Sequence, residues 1–191
     1  MKDEIKAIFD ESARVRDSFL ASGVKTLIDI THLLVEVIRR GDKIMLFGNG
    51  GSAGDAQHIA AEFVNRYRIE RRPLPALALT TDSSILTAIG NDYDFCDIFA
   101  KQIMALGRRG DAAIGISTSG RSENVNRGLR TARGLGISTI GIGGAPDSAM
   151  VDHCDNYLSV YGAPTPRIQE THLIIGHTIV ELVDMKLFGS M

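Results

Sequence analysis

The chain has 191 residues, 44% of them hydrophobic and 23% charged, which is enough for one domain with a sizeable core and excludes a disordered chain. Its net charge of −2 excludes a general attraction to nucleic acid or anionic lipid, so affinity for an anion must rest on local groups. Cys96 and Cys154, with no CxxC and no Cys–His cluster, exclude a disulfide framework or zinc finger and predict a reducing compartment with both thiols as small core residues.

The N-terminal MKDEIKAIFDESARVRDSF is charged throughout and lacks the apolar centre of a signal peptide. No uninterrupted apolar run approaches the ~20 residues of a membrane span, so a cytoplasmic protein is expected. Two helices are predicted first, at about 3–21 and 25–40, the second carrying Leu27, Ile30, Leu34, Val37 and Ile38 at helical spacing. Strands are predicted at 43–47 (KIMLF), 76–80 (ALALT), 112–117 (AAIGIS), 138–142 (STIGI) and 156–160 (NYLSV). These are continuous apolar runs, as parallel strands covered on both faces require. Helical patterns fall between them at about 53–67, 84–89, 94–106 and 122–135, and a last helix at about 166–187 closes the chain. The alternation reads as a doubly wound α/β sandwich. No repeat, low-complexity tract or linker interrupts it, so one domain over 1–191 is expected. The long flanking helices are expected to supply an oligomer interface.

Open parallel sheets bind ligands beyond the C-terminal ends of their strands, next to helix N-termini. Gly48-Asn49-Gly50-Gly51-Ser52 stands there after the first strand; its glycines let the backbone approach a ligand, and Ser52 can cap the helix. It is only part of a Rossmann fingerprint, with no acidic residue at the end of a second strand, and no P-loop occurs. Ser117-Thr118-Ser119-Gly120-Arg121-Ser122 crowds hydroxyls at another strand end before a helix, the chemistry of a phosphate cradle, or of a Ser/Thr-rich turn with Ser122 as N-cap. Thr80-Thr81-Asp82-Ser83-Ser84, Asn91 and Asp92 add polar groups that suit either turns or sugar hydroxyls.

His58 and Glu62 are four residues apart on one helix and share a face. In the last helix Gln169 and His177 lie about 80° and two turns apart, within reach of one ligand, while His172 points elsewhere and is assigned to packing or surface. A glutamate and a histidine can supply the carbon base and the oxygen acid/base of an aldose–ketose isomerisation through an enediol. Two His, one Glu and one Gln can instead hold a divalent metal such as zinc, which would make Glu62 a poorer base. The basic stretch Asn65–Arg72 reads as a solvated helix end.

The chain resembles SIS-domain proteins and, within them, the phosphoheptose isomerases. The resemblance spans nearly the whole sequence and is carried by GNGGSAGDAQHIAAEFVNRY (48–67), LTAIGNDYDF (86–95), GISTSGRSENV (115–125) and RIQETH (167–172). It implies a single SIS domain, a flavodoxin-like three-layer sandwich with a five-stranded parallel sheet and two extra N-terminal helices, the pair (1–41) packing on it and on neighbouring subunits. It implies conversion of sedoheptulose 7-phosphate to D-glycero-D-manno-heptose 7-phosphate, a first step toward activated heptose for bacterial surface polysaccharide. Glu62 would be the general base and His177 its partner. Ser117, Thr118, Ser119 and Ser122 would hold the phosphate, and Asn49, Gly50, Gly51, Ser52, Asn91, Asp92 and Gln169 the sugar. One zinc per subunit on His58, Glu62, Gln169 and His177, no nucleotide cofactor, and a homotetramer with sites between subunits are likewise implied. Arg121, the loop 143–147 and Pro166 depart from the usual pattern and bear on substrate range. A non-catalytic SIS adaptor or an isomerase of another sugar phosphate are the alternatives; the intact glycine loop, Glu62 and His177 favour catalysis.

Overall fold

The computed structural model describes residues 1–189. A long helix α1 (Lys2–Arg39) leads into β1 (Ile44–Gly48), α2 (Gly51–Val64), β2 (Ala76–Ala78), α3 (Ser83–Asp92), α4 (Ile98–Leu106), β3 (Ala112–Ser117), α5 (Glu123–Gly134), β4 (Ser138–Gly143), β5 (Asn156–Ser159) and α6 (Thr165–Phe188). Short 3-10 turns at Phe95–Asp97 and Val151–His153 complete it. The helix expected at 94–106 therefore begins as a 3-10 turn, where Asp94 accepts from the Cys96 amide at 2.6 Å.

The five strands form one parallel sheet in the order β2-β1-β3-β4-β5: doubly wound, as the alternating pattern predicts, and flavodoxin-like, as the resemblance implies. Alternate residues of β1 serve two cores, because successive side chains of a strand point to opposite faces. Ile44 and Leu46 join α1, α2 and α6 on one side; Met45 and Phe47 join α4 and α5 on the other. That is why KIMLF reads as an unbroken apolar run.

The two N-terminal helices expected from the sequence are one. Gly23 stays inside α1 with no positive φ, and its missing side chain leaves room for the Phe19 ring. The mid-helix glycine weakens the helix by roughly 1 kcal/mol relative to alanine, and burial of Phe19, Leu27, Ile30, Leu34 and Ile38 outweighs that. By length and composition α1 is also apolar enough to cross a membrane, which the uninterrupted-run criterion missed. Its buried stripe packs on α6 and β5, the arrangement of a core helix, while Ile5, Ile8, Phe9, Leu20, Val24 and Ile28 are exposed. Cys154 packs against the α4–α5 core, whereas Cys96 sits half-buried in the 3-10 turn rather than in a core.

Candidate active site

The strand order reverses at β1, whose partners are β2 on one side and β3 on the other, and the crevice at such a switch point is where open α/β sheets take ligands. Both loops singled out in the sequence leave the sheet there. Gly48 pairs in register with Ile116, so the glycine loop and the Ser117–Ser122 loop emerge side by side. Their link is a reciprocal amide pair, Asn49 Nδ2 donating to Asn124 Oδ1 and Asn124 Nδ2 to Asn49 Oδ1, each at 2.8 Å. Gly50, at φ 55° and ψ −122°, turns the chain into α2, a backbone conformation open to glycine alone at low cost. It takes the N-cap position that Ser52 was expected to serve; Ser52 lies buried inside the helix.

The hydroxyl loop is preorganised. Ser117 is buried at the end of β3, its hydroxyl donating to Ser122 Oγ at 3.1 Å and facing Ser119 Oγ at 3.5 Å. Ser119 in turn accepts from the Arg121 amide at 3.1 Å. Ser122 occupies the N-cap position of α5 without capping it, so its hydroxyl faces the serine cluster; the Val125 amide donates to Asn124 Oδ1 at 2.9 Å, which leaves the amides of Glu123 and Asn124 for a ligand. An anion there is favoured by those amides and by the helix dipole. Thr118 is half-buried beside them.

His58 and Glu62 on α2 meet His177 on α6. The two imidazole Nε2 atoms are 2.8 Å apart, His58 Nε2 is 3.6 Å from Glu62 Oε1, and one ligand atom from each of the three lies within 4.8 Å of the others. Close approach of the helices makes this possible. Gly176, next to His177, faces Ile59, next to His58, and a Cβ at Gly176 would stand 2.5 Å from Ile59 Cδ1, so the glycine is what lets the two histidines approach. The Tyr67 ring stacks on His177 with centroids 5.3 Å apart. Burial and the neighbouring His58 lower the His177 pKa, partly opposed by Glu62, which keeps the imidazole neutral near pH 7. Neutral imidazoles and a carboxylate are the forms that ligate zinc, and this donor set fits such an ion.

Gln169, the fourth expected ligand, lies on α6 with its amide against Gly51, where any side chain would overlap it; it therefore borders the glycine loop. Asn91 and Asp92 end α3, exposed and bonded to each other at 2.8 Å. α3 buries no residue of its own and packs on α4 and the adjoining 3-10 turn, so within one chain these two are not drawn into the cluster. His172 proves buried, its Nε2 3.2 Å from the Gly143 carbonyl. Arg71, read as part of a solvated basic stretch, is buried and paired with Asp184 at 2.9 Å. Asp55, on α2 one turn before His58, was not singled out from sequence; its Oδ2 is buried without a partner, and burial raises its pKa against the pull of His58. The signal that could have marked it was a carboxylate three residues before His58, on the helix that also carries Glu62.

The SIS domain model matches residues 8–144. A phosphoheptose isomerase from Aquifex aeolicus is 50% identical over 184 residues, 96% of this chain and 96% of its own length. The solved phosphoheptose isomerase structure from Neisseria gonorrhoeae superposes with a TM-score of 0.90 at 38% identity, covering 96% of this chain and 98% of that one. The one from Francisella tularensis gives 0.91 at 33% identity, covering 96% and 97%. With a matching domain model, full-length likeness and a shared fold, the chain belongs to the SIS-domain family, among its phosphoheptose isomerases.

Proposed function

We propose that the protein interconverts sedoheptulose 7-phosphate and D-glycero-D-manno-heptose 7-phosphate. The observation that carries the reading is the meeting of Glu62, His58 and His177 within 4.8 Å, where α2, opening from the glycine loop, faces α6. Ser117, Thr118, Ser119 and Ser122 hold the phosphate with the amides of Glu123 and Asn124 at the start of α5. The sugar lies toward Asn49, Gly50, Gly51, Ser52 and Gln169, with Asn91 and Asp92 supplied at the rim. Glu62 takes the proton from C1 of the ketose while His177 gives one to the C2 carbonyl oxygen, forming the enediol. A proton returned to C2, with loss of one from the C1 hydroxyl, completes the aldose. His58, Glu62, His177 and Gln169 would hold a zinc ion, which supplies Lewis-acid polarisation of the substrate oxygens when bound. The exposed apolar residues of α1 support a homotetramer in which neighbouring subunits complete the site, and the reading is of a cytoplasmic enzyme.

The test is turnover of sedoheptulose 7-phosphate in deuterated water, followed by NMR, with Glu62→Gln, His177→Gln and a chelated sample alongside. Each substitution is expected to lower kcat by about 10²–10⁴-fold with the fold kept, and chelation to lower it until zinc is restored. A folded, oligomeric wild type without turnover refutes the proposal.

A further inference from the structure

Arg71 follows α2 in the loop to β2, yet its side chain is 1% exposed and that of its partner Asp184 5%. All three guanidinium nitrogens donate. Nε bonds Asp184 Oδ1 at 2.9 Å, and Nη2 bonds the Glu62 carbonyl at 2.8 Å. Nη1 bonds the carbonyls of Phe63, Asn65 and Arg72 at 2.8, 3.0 and 3.3 Å. The Glu62 and Phe63 carbonyls belong to the last turn of α2, where helix carbonyls lack intrahelical partners and a cation complements the dipole. Asp184 lies on α6 seven residues beyond His177, two turns along the same face.

One side chain therefore grips the backbone of the residue that supplies the carboxylate and the helix that supplies the facing imidazole. A buried ion pair is a poor way to stabilise a fold, since well-packed apolar residues often do as well. Its advantage is geometry: the planar five-donor fork of arginine fixes several acceptors at once. Asp184 Oδ2 is buried without a partner, so the carboxylate is held through one oxygen and its orientation depends on Arg71.

We propose that Arg71 and Asp184 are positioning residues that set the register of α2 against α6 and thereby the spacing of His58, Glu62 and His177. Gly176 against Ile59 is the fulcrum of that arrangement and the ion pair its outer tie. Because every Arg71 nitrogen is engaged by Asp184 or a backbone carbonyl, it acts only through the three residues it spaces. The inference rests on the isomerase reading for its kinetic consequence, but its effect on zinc affinity is independent of which sugar is turned over.

The test uses the full chain. Arg71→Met/Asp184→Leu removes both charges while keeping apolar volume, and Arg71→Lys keeps the cation but not the fork. Each is compared with wild type in melting temperature, in zinc affinity by competition with a chromophoric chelator, and in kcat and KM for sedoheptulose 7-phosphate. The double variant is expected to fold, to bind zinc about 10–100-fold more weakly, and to lose about tenfold or more in kcat with KM little changed. Arg71→Lys is expected to fall between it and wild type. A folded double variant with wild-type zinc affinity and kcat overturns the inference. Where the double variant does not fold, wild-type zinc affinity and kcat in Arg71→Lys overturn it instead. A wild type that binds zinc without turnover, together with weakened zinc binding in the variants, refutes the isomerase reading and supports the clamp.

Discussion

Acidification is expected to destabilise the native state through His172, a residue outside the proposed chemistry. Its ring is 2% exposed, and burial lowers its pKa to about 4, with the hydrogen bond to Gly143 opposing the shift. A carbonyl only accepts, so Nε2 carries the ring proton and donates to Gly143; Nδ1 is buried with no partner. A second proton would therefore place a charge at Nδ1 with no acceptor, shielded from solvent. The unfolded chain, with an ordinary histidine pKa near 6.5, binds that proton more readily than the native state between about pH 4 and 6.5. The stability supplied by the neutral ring is thus present above pH 6.5 and lost as pH falls toward the native pKa. A shift from 6.5 to about 4 integrates to roughly 3 kcal/mol lost between pH 7 and pH 4. The assay is urea unfolding at fixed protein concentration across that range, for wild type and His172→Gln, which keeps a donor but does not titrate. Other acid-sensitive groups cancel in the difference. A wild-type-minus-variant curve that stays flat between pH 7 and 4, or that falls mainly above pH 6.5, refutes the reasoning.

Two further substitutions probe how the site is assembled. Asn49→Ala removes one half of the amide pair and leaves Asn124, 3% exposed, short of a partner; a loss of about 1–3 kcal/mol in thermal unfolding and a raised KM are expected, because that pair joins the two loops proposed to bind the substrate. Gly176→Ala brings a Cβ to 2.5 Å from Ile59 Cδ1, so the Ile59 side chain must move aside or α2 and α6 separate, at a cost of about 1–3 kcal/mol. Its kcat is expected to fall as well, and Gly176→Ala/Ile59→Ala to recover part of that loss in the same assay.

Sheet and helices, and the loops that leave the sheet beside one another, were largely legible in the residues, because each rests on a local rule. The run KIMLF can be apolar at every position only if both faces of the strand are covered, and it forms β1 in the centre of the sheet. Hydroxyls packed at the end of AAIGIS lie at the N-terminus of α5 because a strand-to-helix turn exposes amides there. The single helix α1 was not legible: serine and glycine at 22–23 are local breaking signals, and only the Phe19 ring lying over Gly23 shows why the helix continues. Arg71 was misread for a related reason. A charged run is solvated unless distant acceptors surround one member of it, and here they come from the end of α2 and from Asp184, 113 residues away.

By itself, the sequence determined the order and type of the elements and the reactive groups they carry, since periodicity and side-chain chemistry are properties of neighbours along the chain. Only the tertiary structure decided that His58 would face His177 across 119 residues at 2.8 Å. It alone also decided that His172 would lose its water and that Arg71 would tie two helices together. Burial and long-range contact depend on how helices pack, and that is settled by small residues such as Gly176 whose partners no local pattern identifies.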